Sequence, residues 1–294
     1  MKIILLRGGL GNQLFQLSKY IYLKKNYNFK DLKIDTRSGF FLDFKYKRKL
    51  EIKEIEEKSD SAEISTSIVN IILILTNKYL PIFSRFLNTK IINNKNYFDL
   101  KPSRKENLIF DGYFQDFNFI KDNLKEIFNY IKPNFKVNYS TKFEKLFREI
   151  KQFENSVAIG IRFYEESKNP KVHANPHSKV KKIDDYNNLI KKLEENLKNP
   201  KFYIFVQHEN DFTSNLNFNS QYFIISHEKG YKGSWARLKA QSLCKHHIFN
   251  NSTFYYWGAI FSTLFHENKD FKPQIYISNN FVFRQIYNSN WEKF

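Results

Sequence analysis

The chain has 294 residues, of which 41% are hydrophobic and 18% aromatic, enough to bury the core of two domains or of one large one, so it is globular. Lys and Arg total 48 against 30 Asp and Glu, a formal charge of +18, which draws the chain toward polyanions: nucleic acid, an anionic lipid surface or phosphorylated small molecules. The single cysteine, Cys244, excludes an intrachain disulfide and fits a reducing, cytoplasmic compartment.

Residues 2 to 6, KIILL, read as a short buried strand, too brief for the apolar core of a signal peptide. Gly8, Gly9 and Gly11 follow, and then Leu14, Leu17 and Ile21 recur at helical spacing. DLKID at 31 to 35 reads as a second strand, which makes the opening a βαβ unit. A glycine turn between strand and helix admits a phosphate or another backbone closely, because glycine lacks Cβ. A full G-x-G-x-x-G is absent: Gly9 and Gly11 fit its first two glycines, but Leu14 stands in the third place, so that fingerprint for dinucleotides is weak. No G-x-x-x-x-G-K-[ST] loop supports a P-loop nucleotidase. A charged run at 45 to 58 precedes IVNIILIL at 68 to 75, which falls short of the roughly 20 apolar residues that span a bilayer and reads as a buried helix. NLIFDGYFQDFNFI at 107 to 120 supplies a further strand, breaking at Gly112 into an aromatic-rich loop or helix start.

NYIKPNFKVNYS at 129 to 140, with Pro133, is a candidate hinge dividing an amino-terminal domain, 1–135, from a carboxyl-terminal one, 136–294. Beyond it VAIGI (157–161), KFYIFV (201–206), QYFIIS (221–226), HHIFN (246–250) and QIYIS (274–278) are short, apolar and β-rich. Helical patterns lie between several of them: 184–198, opened by Asp184 as N-cap, then 235–243 and 252–263. Strands separated by helices imply crossovers and a parallel, doubly wound sheet. The expected fold is therefore α/β, two Rossmann-like domains facing across a cleft. Ligands in such sheets bind outside the carboxyl ends of the strands.

Three segments sit at such ends. Arg162 directly follows VAIGI, where a permanently charged fork could clamp a phosphate or pyrophosphate; the plainer reading is an arginine that reaches solvent. The polar loop after it, with Pro170 and Pro176, is suited to lie over a ligand. Asn251, Ser252 and Thr253 stand where a helix begins after the strand at 246–250, so hydroxyls and orphan N–H groups converge on a place that favours an anion. An ordinary N-cap, with Tyr255, Tyr256 and Trp257 in the core, is the compatible plainer reading. The third segment is the glycine turn itself. Metal sites are poorly supplied: one cysteine cannot build a structural zinc site, and Glu209 with Asp211 reads as a pair of solvated loop acids. No recognition helix, RNP-type block or coiled basic region argues for nucleic acid.

Taken in order and spacing, RGGLGNQLFQ (7–16), GYFQ (112–115), IGIR (159–162) and LCKHHIFNNSTFYYWGA (243–259) resemble the bacterial α-1,2-fucosyltransferase family over nearly the whole chain. The first block follows G-G-L-G-N-Q-x-F-Q, and the last follows C-K-x-x-I-x-x-N-S-T-F-x-x-W-G-A. The resemblance implies a GT-B architecture, a GDP-L-fucose donor bound mainly by the carboxyl-terminal domain, no metal requirement, and transfer with inversion to a sugar hydroxyl. The expected acceptor is an oligosaccharide of a bacterial surface glycan, O-antigen or capsule, and the basic charge would suit one that is lipid-phosphate-linked at the inner membrane face. Arg162 falls on the first Arg of the family's H-x-R-R-x-D and inherits the phosphate role. Ser252 and Thr253, with Asn251, would bind the same phosphates, while Gly9, Gly11 and Asn12 would close the cleft from the other domain. The chain departs from the pattern at Gly160 (family His), Phe163 (second Arg) and Glu165 (acid), and FVQH at 205–208 replaces F-S-D-D. These departures keep open another GDP-linked deoxysugar as donor, or an inactive relative. A non-enzymatic basic binder is the alternative of a different class. Candidates for the base that takes the acceptor's proton are Glu165, Asp35 and Asp116, each also readable as a solvated or capping acid.

Overall fold

The computed structural model describes residues 1–44, 47–57, 60–80, 89–94, 107–164, 174–267 and 271–294. The chain divides into two units, Met1–Pro133 and Asn134–Phe294, and each is built on a parallel sheet.

In the first unit β1 (Lys2–Leu5) leads through the glycine turn into α1 (Leu10–Tyr27) and back to β2 (Leu32–Asp35). Short helices α2 (Ser38–Phe41) and α3 (Glu54–Glu57) and the longer α4 (Ile64–Tyr79) follow, then β3 (Thr89–Ile92), β4 (Asn107–Phe110) and α5 (Leu124–Ile131). The order β2-β1-β4-β3 sets Ile4 beside Ile34 and Phe110. Such continuous apolar runs are what a parallel sheet covered on both faces requires. The expected βαβ opening is present; β3 was not anticipated.

One expectation fails in this unit. The apolar segment around residue 70 is helical but not buried: α4 turns Ser67, Asn70 and Ile74 inward and leaves Ile64, Ile68, Val69, Ile72 and Leu75 exposed. The reason is Asp35 at the end of β2, whose buried carboxylate needs donors and receives them from Ser67 Oγ (3.2 Å) and Asn70 Nδ2 (2.7 Å). An unpaired buried charge would cost far more than the exposed aliphatics.

The first half of the candidate hinge, 129–135, is helical, with α5 running into a 3₁₀ turn over Lys132–Phe135, and the division between the units falls between Pro133 and Asn134.

The second unit comprises α6 (Thr141–Gln152), β5 (Ser156–Gly160), α7 (Ile183–Asn196), β6 (Lys201–Phe205), α8 (Asp211–Ser214), β7 (Tyr222–Ile225), α9 (Ser234–Leu243), β8 (His246–Phe249), α10 (Thr253–Phe265), β9 (Ile275–Ile277) and β10 (Glu292–Lys293). All five strands expected from the sequence are present, and β10 is additional. Helix α7 starts one residue earlier than expected, with Lys182 rather than Asp184 at the N-cap; Asp185 accepts from the Lys182 N–H at 3.0 Å and closes the turn. Val157, Ile159, Ile204, Ile248 and Tyr276 from the sheet and Tyr186, Ile190 and Leu193 from α7 form one core.

The strand order β10-β9-β8-β5-β6-β7 means that the chain winds outward from β5 to β7, returns, and winds the other way from β8 to β10. This is the doubly wound order, and its direction reverses between β5 and β8. A crevice at the carboxyl ends of that pair is where ligands of such sheets bind.

Candidate functional site

Arg162 and the Asn250–Thr253 segment occupy the two sides of that reversal point. Asn250, buried just after β8, clamps the Arg162 peptide: its Oδ1 accepts from the Arg162 N–H at 2.8 Å, and its Nδ2 donates to the Arg162 carbonyl at 2.9 Å. The guanidinium is aimed by Gln207, just beyond β6, whose Oε1 accepts from Nη1 at 2.5 Å, and it lies 5.8 Å from the Tyr164 ring. Tyr164 in turn donates to the Asn251 carbonyl at 2.6 Å. Arg162 is therefore a positioned, half-buried cation, unlike an arginine that trails into solvent.

The helix start beside it is left open. Ser252 is the N-cap of α10, but its hydroxyl makes no capping bond, and the first turn contains no acid. Asn251 turns away to donate to the His177 carbonyl. His177 Nδ1 lies 2.7 Å from the Asn280 carbonyl, which can only accept, so this nitrogen carries the proton. Thr253 begins the helix, partly buried. A 13-residue helix whose N-cap side chain makes no bond and whose first turn holds no acid presents partial positive charge at its amino end. With Arg162 alongside, the arrangement suits a phosphate or diphosphate. Tyr255, Tyr256 and Trp257 are core residues.

Gly160, where the resembled family has His, has a steric cause. A Cβ at Gly160 would lie 2.4 Å from Tyr255 Cγ. That ring is pinned, since its hydroxyl donates to the carbonyls of Phe205 (2.8 Å) and Ile161 (3.2 Å). The aromatic ring takes the space that a side chain on β5 would need.

The ends of β6 and β7 gather further polar groups. His208 Nδ1 pairs with Glu228 at 2.5 Å, and this bond and a backbone bond hold the Glu228 carboxyl down at about 2. His227 is held below the usual histidine value by burial and by the nearby Arg237 charge. Glu209 accepts from Ser226 at 2.6 Å and faces Lys229 at 3.4 Å, whereas Asp211 opens α8. Glu209 is thus engaged rather than solvated. Among the described residues no group of three His, Cys, Asp or Glu is arranged to hold a metal.

The glycine stretch lies in the first unit. Gly8 has φ +78°, a conformation that glycine adopts without strain. Gly9 is the N-cap of α1 and has nothing within 4 Å of where a Cβ would stand, while Gly11 is helical and buried. Glu51 Oε1 already occupies the helix start, accepting from Leu10 N–H at 3.1 Å. Gln13 donates to the carbonyls of Gly8 and Lys49, both at 2.9 Å, and Gln16 bridges Arg7 N–H and the Gly112 carbonyl, both at 3.0 Å. Asn12 Oδ1 accepts from Gln115 at 3.0 Å, and Arg7 pairs with Asp111 at 2.9 Å beneath the Tyr113 ring.

The base candidates fare poorly. Asp35 is fully buried and takes bonds from the Arg37 and Ser38 N–H groups as well as from Ser67 and Asn70. Asp116 is buried and caps a 3₁₀ turn through the Asn118 N–H. Both carboxylates are engaged in structural hydrogen bonds. Glu165 lies outside the described residues, as does Pro170.

The structure therefore brings Arg162, Asn251, Ser252 and Thr253 together in the second unit and Gly9, Gly11 and Asn12 together in the first. Gln207, Asn250 and His177 were not anticipated. The first two follow strands directly, so the carboxyl-end rule applied to every strand would have found them; His177 carries no signal in the sequence.

No protein family's sequence profile matches the chain, and no curated protein sequence matches it. Solved structures that align with it include a point mutant of FUT1 from Arabidopsis thaliana in complex with GDP, at 13% identity and a TM-score of 0.49, covering 95% of this chain and 71% of that one. A glycosyl transferase family 9 structure from Veillonella parvula aligns at 10% identity and a TM-score of 0.44, covering 99% of this chain and 86% of its own.

Proposed function

We propose that this chain is an inverting glycosyltransferase of GT-B type, an α-1,2-fucosyltransferase that moves L-fucose from GDP-L-fucose to a hydroxyl of a bacterial surface glycan. The supporting observation is the pairing of a positioned Arg162 with the uncapped start of α10 on the two sides of the sheet's reversal point. Transfer leaves a diphosphate carrying growing negative charge, and fixed cations and N–H dipoles placed there in advance lower the barrier to its departure. Arg162, Ser252, Thr253 and the first turn of α10 fill that role in this reading, without a metal. The first unit takes the acceptor, with Asn12, held by Gln115, as its contact. Fucose itself is supported by the sequence blocks rather than by the diphosphate site, which any GDP-linked sugar would suit.

GDP at about 100 times its dissociation constant is expected to stabilise the purified chain by roughly 2.7 kcal/mol, and Arg162→Ala to remove most of that effect. A protein whose unfolding is indifferent to GDP and to other nucleotides would overturn the reading. A donor screen with linkage analysis of the product tests fucose and the α-1,2 bond directly.

A further inference from the structure

Helix α4 is built inside out. Along its 16 residues the inward positions, Ser67, Asn70 and Ile74, are two-thirds polar, while Ile64, Ile68, Val69, Ile72 and Leu75 are exposed. At about 100° per residue, Ile64, Ile68, Ile72, Leu75 and Tyr79 fall within an arc of roughly 80°, and all five are exposed, Ile64 by 63% and Ile72 by 56%. No charged residue interrupts the stripe; Lys78 stands at its carboxyl end and Glu63 precedes its start. The neighbouring α2 is tied to α4 through Ser38 Oγ, which donates to the Ser67 carbonyl at 2.8 Å, and Leu42 packs against the same apolar cluster as Leu73. It adds exposed Phe41 and Phe44, whose rings contact each other. Exposed Lys47, Arg48 and Lys49 follow within five residues.

Aliphatics on water are disfavoured unless something covers them. The helix is about 24 Å long at ~1.5 Å per residue, so a stripe about 10 Å wide offers on the order of 240 Å². That is a third of the ~800 Å² per partner typical of a stable protein interface. An exposed apolar stripe ending at Lys78, with exposed Lys47, Arg48 and Lys49 following the Phe41–Phe44 pair in the chain, is instead suited to a membrane interface with anionic headgroups, and no described helix is long and apolar enough to cross a bilayer. We infer that α4, with Phe41 and Phe44, docks flat on an anionic lipid bilayer, its stripe at the acyl boundary and Lys47, Arg48, Lys49 and Lys78 against the headgroup phosphates. The inference stands apart from the donor site, since nothing in the second unit enters it.

Flotation of the full chain with vesicles of neutral phosphatidylcholine, with and without anionic phosphatidylglycerol, tests this. The wild type is expected to float with the anionic vesicles and at least fivefold less with the neutral ones. Ile72→Glu with Leu75→Glu should lose at least tenfold in bound fraction while keeping the wild-type unfolding transition, and Arg162→Ala should float normally. Because Cys244 is buried, Ile72→Cys carries one accessible thiol. An environment-sensitive dye there should shift to the blue on anionic vesicles, which keeps the test open if the glutamate variant folds poorly. A wild type that does not float, a glutamate variant that floats as well as wild type, an unshifted dye, or a wild-type dimer made monomeric by the glutamates would each overturn the inference.

Discussion

The same junction, strand to turn to helix, occurs at β1–α1 in the first unit and at β8–α10 in the second, and the two are finished in opposite ways. At the first, the protein supplies its own partners: Glu51 at the helix start, with Gln13 and Gln16 bonded to backbone on both sides of the turn. At the second, the helix start carries no acid and no side-chain cap, and Arg162 is held next to it by groups that leave it positively charged. The two helix starts therefore differ in the side chains that finish them: a carboxylate at the first, and no side-chain cap and no acid in the first turn at the second. The glycine stretch is tied down by side chains of its own unit, whereas the start of α10 has only backbone and Ser252 at its end.

The largest expected contrast between the units is in their pH dependence. In the first, burial among aromatic rings lowers Lys19 to about 7, against the favourable charge of Asp116 and a Phe119 ring 3.9 Å away. The unfolded chain then holds a proton between about 7 and 10.5 that the folded unit does not, so stability rises with pH across that window and is lost toward 7. In the second, burial lowers His246 to about 4 and His247 to about 3. The sign is the same, but the window lies lower: stability is lost as pH falls from about 6.5 toward 3 or 4. Each proton is worth up to about 1.4 kcal/mol per pH unit. Hydrogen exchange corrected for its intrinsic pH dependence should show α1 losing protection between pH 9 and 7 while β5 and β8 hold theirs until below pH 6. Lys19→Met should abolish the upper window alone, and identical profiles in the two units would refute the assignment.

Next in size are the fastenings themselves. Gln16→Leu leaves the Arg7 N–H and the Gly112 carbonyl without their partner, a loss of about 3 kcal/mol in denaturant unfolding. Gly160→Ala drives a Cβ into the pinned Tyr255 ring and should cost about 2 to 3 kcal/mol, with a weaker GDP effect as the end of β5 shifts. Within the glycine turn, Gly8→Ala should cost about 1 to 2 kcal/mol, because its φ is +78°. Gly9→Ala, with open space before it and φ −78°, should be neutral or slightly stabilising. A Gly9→Ala protein that is stable but slow in turnover would mean that a ligand stands in that open space.

The second unit was legible because its strands are short, apolar and separated by helices, a pattern in which local preference and burial agree. The first unit was legible only where the same agreement held, at β1, α1, β2 and β4. Thr89–Ile92 was missed because four residues beside a polar stretch carry little periodic signal. The apolar α4 was placed inside because its composition says core; one buried carboxylate, Asp35, reversed it by claiming the polar face. Site positions followed from the carboxyl-end rule, but the partners that aim Arg162 depend on side-chain reach across neighbouring strands, which spacing within a single strand does not encode.

The smallest stability effect is the most informative about function. Removing an N-cap hydroxyl ordinarily costs about 1 kcal/mol, since a helix N–H loses its acceptor. Asn210, whose Oδ1 accepts from the Thr213 N–H at 3.2 Å, should follow that rule when changed to Ala. Ser252 makes no such bond, so Ser252→Ala should leave unfolding within about 0.3 kcal/mol of wild type. If its hydroxyl and the N–H groups behind it are reserved for a diphosphate, the same variant should bind GDP about tenfold more weakly, or roughly 1.4 kcal/mol. Calorimetric titration beside a denaturant curve separates the two quantities. A Ser252→Ala protein that lost stability and kept its GDP affinity would make this helix start an ordinary cap, and would move the diphosphate away from the amino end of α10.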